Sequence, residues 1–225
     1  MIRRGAPIGG IVLVVLALSQ AALGAKGDPQ KRLTAADSQR AAGVLLTRTD
    51  LGAAGWKSEP GAGQSGCGIM LSLNPVESDL VETGEATGPL FSNKGYEALA
   101  QTVRVFATAR QANTAWVRTV NKELVICMEQ QVENTSSMGA AVSVTDWSPL
   151  KVPKIGGHVA GFRVTATATS GQTKPKVYLD VILLGQSRTM TKITFSSLRK
   201  PFSTAYESRL ARIVSQRLDS TRRAG

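Results

Sequence analysis

Four cations in the C-terminal third, Arg163, Lys176, Arg188 and Lys192, fall at alternating positions within three consecutive strand-like runs, with Tyr178 among them. Every second side chain of a strand points to the same side. This spacing therefore predicts a basic sheet face that would attract anions, although charges on a solvated face are also the ordinary outcome of burying a sheet on one side only. Trp147, just ahead of these runs, has a ring that could line an adjoining pocket. These six residues are the ligand-binding candidates.

Other chemistries find less footing. His158 is the sole histidine, so any Ser–His or Cys–His pair would have to be built on it. The surrounding sequence singles out no nucleophile, and the residue reads as a strand-edge histidine. Gly61-Ala62-Gly63-Gln64-Ser65-Gly66 matches a G-x-G-x-x-G pattern. A dinucleotide site would need a strand before it and a helix after it; here Lys57-Ser58-Glu59-Pro60 precedes and Cys67 follows. Cys67 also stands where a G-x-S-x-G elbow needs its second glycine. Two thiols and one imidazole do not supply four zinc ligands. The acids lie mostly in loops before residue 150 and select no hydrolytic pair. The expectation is no catalytic residue, no metal and no cofactor.

Charge is distributed unevenly. Residues 25–150 carry 11 Lys/Arg against 13 Asp/Glu, whereas residues 151–225 carry 14 against 3. A basic field of this kind favours anionic partners. Aromatics at 5% are too sparse for a base-stacking or carbohydrate platform, and charged residues at 19% are too few for a disordered chain.

The N-terminus suggests where such partners would be met. Arg3 and Arg4 precede an uncharged run, Gly5 to Ala25, whose apolar core is Ile11–Leu18 and whose end is small residues. That is the layout of a secretory signal over residues 1–24, with an uncleaved membrane anchor as the alternative. Export makes membrane lipids, acidic envelope polymers or another envelope protein the expected partners, with a membrane surface included and nucleic acid excluded. It also pairs Cys67 with Cys127 as a disulfide. That bridge would close a loop of about 60 residues, for which chain entropy gives about 4 kcal/mol.

The elements that must position these residues follow from periodicity. After a polar linker (25–33), Thr34 caps a helix through Leu46. Strands are expected at Asp79–Phe91 and Ala98–Ala107 with a turn at Asn93-Lys94-Gly95. A helical stripe follows: Ala112, Trp116, Val120, Leu124 and Cys127. A strand at Ala141–Trp147 precedes three more, His158–Ala168, Lys176–Leu184 and Arg188–Ser196, joined by short turns as an antiparallel meander. Pro201 and Ser203 open a last helix with Tyr206, Leu210, Ile213, Val214 and Leu218 inward. The fold expected is α+β, one antiparallel sheet flanked by helices in the order α-β-β-α-β-β-β-β-α, as a single domain over 34–220 with a basic tail at 221–225. In the meander, Phe162, Val164, Val177, Leu179, Val181, Leu183, Ile193 and Phe195 are expected to face the core. Arg163, Thr165, Lys176, Tyr178, Asp180, Arg188, Met190 and Lys192 are expected on the other face, with Ile182 and Leu184 as an apolar patch among them.

Leu45-Leu46-Thr47-Arg48-Thr49-Asp50-Leu51 with Gly55-Trp56, Val103-Arg104-Val105-Phe106 with Ala112, Trp116 and Cys127, and Gly185-Gln186-Ser187-Arg188 through Phe195 with Glu207 and Leu210-Ala211 together carry a resemblance. The chain is similar to the actinobacterial secreted sensor-domain family typified by the extracellular domain of PknH-type serine/threonine kinases. The resemblance implies an antiparallel sheet flanked by helices, a ligand cleft and no catalysis. The chain departs from the kinase-attached members in having cysteines for one disulfide rather than two and no kinase domain. The reading is a secreted, non-enzymatic, sensor-like binding module of the cell envelope for an anionic or amphipathic ligand. An assembly partner of another envelope protein is the alternative, and a secreted hydrolase ranks behind both.

Overall fold

Thr34 ends an extended segment and starts a helix: its hydroxyl accepts from the Asp37 N–H at 3.2 Å, and helix α1 runs Ala35–Val44. The computed structural model describes residues 28–52, 55–60, 76–120, 141–169 and 174–223. The leader, Cys67 and Cys127, the glycine-rich run 61–66 and the far part of the stripe beyond Val120 lie outside these residues. Helix α2 spans Ala109–Thr119, capped by Thr108, and helix α3 spans Thr204–Arg223. The last helix thus runs on into the stretch expected to be a tail.

Nine strands are described: β1 Gln30–Lys31, β2 Lys57–Glu59, β3 Val81–Thr87, β4 Leu90–Asn93, β5 Glu97–Phe106, β6 Ala141–Pro149, β7 His158–Thr169, β8 Lys176–Gln186 and β9 Thr189–Leu198. They form one sheet in the order β1-β3-β5-β9-β8-β7-β6, with β4 alongside the first half of β5 and β2 on β4. The meander β7–β8–β9 is antiparallel throughout, as its turn-rich joins predicted.

The sheet as a whole is mixed, not purely antiparallel, because β1 runs parallel to β3. Backbone bonds Gln30 N→Leu80 O (2.9 Å), Arg32 N→Glu82 O (2.8 Å) and Thr34 N→Thr83 O (2.8 Å) guide the chain along β3 to its helix cap. A two-residue polar strand carries no alternation, so the linker reading concealed it. The segment expected as one strand over Asp79–Phe91 is two, β3 and β4, broken at Gly88-Pro89. Lys94 and Gly95, both at positive φ (55° and 70°), make the β4–β5 turn where it was expected.

Both sheet faces are buried. On one, Leu99, Val103, Val105, Ile182, Leu184, Ile193 and Phe195 pack under Ala41 and Val44 of α1 and Leu210, Ala211, Val214 and Leu218 of α3. On the other, Ala98, Ala100, Phe106, Val164, Leu179, Val181, Leu183 and Met190 pack with Ala112, Ala115 and Trp116 of α2. The expected apolar patch at Ile182 and Leu184 is therefore core beneath α3.

The expected inward set also splits. Val181 pairs with Thr194 and Ile182 with Ile193, so Ile193 and Phe195 lie opposite to Val177, Leu179, Val181 and Leu183. The cause is turn length. Two residues, Ser187 and Arg188, connect Gln186 to its partner Thr189, which pairs odd positions of β8 with even positions of β9. A one-residue change of register exchanges the faces of a whole strand.

Helix α1 crosses the sheet at Gly84, where an added Cβ would lie 2.4 Å from both the carbonyl carbon and oxygen of Asp37. Backbone cannot yield as a flexible side chain does. Gly84→Ala should cost about 3 kcal/mol, whereas Gly95→Ala, strained only by its positive φ with open space around it, should cost about 1 kcal/mol. Urea midpoints of the two variants test the contrast.

Candidate functional site

The six candidates do not converge on one surface. Arg163, Lys176 and Tyr178 share the face that α3 covers, but Lys192 and Trp147 lie on the α2 side, and Arg188 sits in the β8–β9 turn. Trp147, on edge strand β6, is 47% exposed; Lys176 is exposed and Tyr178 half-buried.

Two of the cations are committed within the fold. Arg163 Nε and Nη2 donate to Asp180 Oδ1 and Oδ2 at 2.6 and 2.7 Å, and Nη2 lies 3.5 Å from Glu207 Oε1 in the first turn of α3. Arg188 grips Asp37 of α1 through both Nη atoms (3.1 and 2.9 Å) and also donates to the Phe106 carbonyl. Thr83 donates to the same Asp37 carboxylate at 2.6 Å. Burial pushes the Asp37 carboxyl up, but Arg188 and Thr83 outweigh it and hold the group below its usual range. The expected free basic face is thus occupied by helices, with Arg163 and Arg188 neutralised as its anchors.

Lys192 differs from them. It is half-buried on β9 between two strands, with Thr102 of β5 and Leu183 of β8 directly across from it and Met190 and Thr194 flanking it on its own strand. It has no hydrogen bond or ion pair among the described residues. Burial, followed by the charge of Arg104, pushes its amine down to about 8. Arg104 cannot relieve it and is itself engaged: Nη2 donates to Glu77 at 2.6 Å, Nε to Glu82 at 2.9 Å, and the guanidinium lies 4.8 Å over the Phe106 ring. The second oxygens of Glu77 and Glu82 are buried without a hydrogen-bond partner among the described residues. Lys192 is the cation of this corner that no carboxylate engages among the described residues.

His158 is exposed and stacks on Trp116, ring centroids 5.2 Å apart, where Trp116 lies over Gly185. No hydroxyl or carboxylate hydrogen-bonds it among the described residues. Those residues contain no group of three or more His, Cys, Asp or Glu that could hold a metal ion.

Comparison with known proteins adds a fold-level likeness. No family model matches the chain, and no curated protein matches it. Among solved structures it is similar to the extracellular domain of PknH from Mycobacterium tuberculosis. The likeness covers 81% of this chain and 96% of that one at 12% identity, with a TM-score of 0.42. The likeness is remote. It assigns no residue a role.

Sequence reasoning named Glu207 only within the resemblance and gave it no role. Only three acids occur among residues 151–225, and all three are used internally: Asp180 and Glu207 around Arg163, and Asp219 accepting from Gln186. Acids that rare in a basic segment were the available signal. One guanidinium faces two buried carboxyls, so burial, together with the adjacent Asp180 carboxylate, raises the Glu207 carboxyl far above its usual range.

Two predictions follow from opposite shifts. A raised acid keeps its proton in the folded chain after the unfolded chain has lost it, so stability falls as pH rises above the ordinary carboxyl range. Glu207→Gln should match the parent near pH 5 and exceed it in stability at pH 8, measured by urea unfolding. A depressed lysine binds fewer protons when folded, so its cost is full below about 8 and disappears toward 10.5. Lys192→Met should therefore stabilise the protein by up to ~3 kcal/mol at pH 7 and by much less at pH 10. Equal unfolding midpoints for variant and parent at pH 7 would refute this.

Proposed function

We propose that this chain is an exported, non-enzymatic, sensor-like binding module whose α2-side sheet face takes an anionic or amphipathic ligand, with Lys192 receiving the negative charge. The observation that carries this reading is an uncommitted ammonium on a strand interior to the sheet, set among buried apolar side chains. Such a group lowers stability where a methionine would raise it. Residues that oppose stability in this way are characteristic of functional sites. The leader at residues 1–24 supports an extracytoplasmic location. No helix among the described residues is long and apolar enough to cross a membrane.

A second reading, an assembly partner for another envelope protein, draws on Trp147, exposed at the sheet edge. Against it, the same strand carries an irregularity between Val144 and Asp146 and ends in Pro149, the features that keep an edge strand from adding a neighbour.

Thermal unfolding of the full chain with envelope lipids and acidic polymers tests the leading reading. At a concentration one hundred times its Kd, a true ligand should raise Tm by about 5 °C or more, and Lys192→Met should abolish the rise. A panel without any shift, or a shift unchanged in the variant, would reject it.

A further inference from the structure

We propose that one end of the sheet carries a row of unpaired cations that docks a linear polyanion of the envelope, a binding surface separate from Lys192.

Three connections meet at that end. Lys94 heads the β4–β5 turn, Arg199 and Lys200 follow β9, and Lys174 and Lys176 open β8; all five are exposed. Backbone bonds hold the connections together: Leu198 N donates to the Tyr96 carbonyl at 2.9 Å, and Arg199 N to the Lys176 carbonyl at 3.0 Å. Lys57, also exposed, extends the series on β2, where it pairs with Ser92 just ahead of the β4–β5 turn. None of the six has an ion pair or a side-chain hydrogen bond among the described residues, and Arg199 lies 5.4 Å over the Tyr96 ring. Two acids share these segments: Glu59, two residues along β2 from Lys57, and half-buried Glu97, which accepts from Asn93 at 3.0 Å. Elsewhere Arg104, Arg118, Arg163, Arg188 and Arg217 are each matched by a carboxylate.

The backbone agrees. Lys94 and Arg199 hold φ of 55° and 81°, a region that costs a side chain more than it costs glycine. Strain of this kind gathers where a surface has a task.

Layout selects the occupant. Neighbouring strands lie about 4.8 Å apart, so from Lys57 on β2 through β4, β5 and β9 to Lys176 on β8 the cations extend about 19 Å along the strand ends. A line of that length matches consecutive anions of one extended polymer. A bilayer fits less well. The large apolar side chains exposed among the described residues, Leu33, Val76, Val117 and Trp147, lie on other elements, so none of them anchors this end in a membrane. The chain also enters at the opposite end: Gln30 pairs with Val81, beside Glu82 and its partner Phe106, whereas the row adjoins Glu97 at the start of β5. A leader retained as an anchor would leave the row about 30 Å of strand beyond the point of entry.

Calorimetric titration of the full chain with medium-chain inorganic polyphosphate at several salt concentrations provides the test. The plot of log Kd against log salt should have a slope of about 4, as for six cations on a flexible polyanion. Tripolyphosphate, too short to follow the row, should bind about tenfold more weakly or worse. Arg199→Glu with Lys200→Glu, and separately Lys94→Glu with Lys176→Glu, should each weaken polyphosphate binding by about tenfold or more and lower the slope. Lys151→Glu with Lys154→Glu makes the same charge change on an exposed loop at the opposite end, and should weaken binding less than about threefold. Lys192→Met should bind polyphosphate as the parent does, leaving the Lys192 reading to be judged on the lipids. Loss of polyphosphate binding in that variant would overturn the row, as would equal weakening by the Lys151 and Lys154 pair, which would reveal attraction to net charge alone. Absence of polyphosphate binding at low salt would also overturn it. So would tighter binding to phosphatidylglycerol vesicles that the row variants abolish, which would make this end a membrane contact.

Discussion

The two-residue turn Ser187-Arg188 governs how this sheet is used. With Ser187 at φ 53°, the chain reverses in the smallest loop an antiparallel pair allows, and its even length sets the pairing parity of β8 and β9. That parity sends Ile193 and Phe195 under α3 and Lys192 to the opposite side. It also presents Arg188 to Asp37, so the turn that defines the register also fastens α1 to the sheet. A three-residue loop would reverse the whole of β9, burying Lys192 beneath α3 and separating the apolar residues of that core.

The uneven charge of the sequence has a structural resolution. Acids of the earlier segment meet arginines of the later one: Asp37 with Arg188, and Asp50 with Arg217 at 2.8 Å. Arg217 also donates to the Leu45 carbonyl, and Arg209 to the carbonyls of Asp50 and Leu51. These contacts join α1 and the short 3₁₀ turn Arg48–Leu51 to α3 across more than 150 residues of sequence. Guanidinium suits the task because its planar donors engage a carboxylate and a carbonyl at once. Paired charges in such places specify which surfaces meet more than they add stability. A net charge of +11 therefore overstates the basic surface offered to a partner, and half-buried Lys192, with no hydrogen bond or ion pair among the described residues, acquires a significance that composition does not convey.

Local signals carried much of the fold. The hydroxyl cap at Thr34, the turn at Lys94-Gly95, the alternation in β7 and β8, and the stripe of α3 depend on neighbours in sequence, and each is where the pattern placed it. What escaped were features without periodicity or ones that depend on distant partners. The strand Gln30–Lys31 is too short to alternate. Gly84 has to be glycine because a helix some 45 residues earlier crosses it. β5 and β9 are apolar on both faces because helices cover both, and runs of that kind leave parity undetermined.

For the candidate site the division is the same. The sequence by itself established which residue types were available: one histidine, two cysteines, and lysines and arginines concentrated after residue 150. Tertiary structure alone decided which of those cations were already matched. Charge is a property of a residue, readable in one dimension, whereas its neutralisation depends on which distant carboxylate is folded within about 3 Å. The latter is set by turn parity and helix docking.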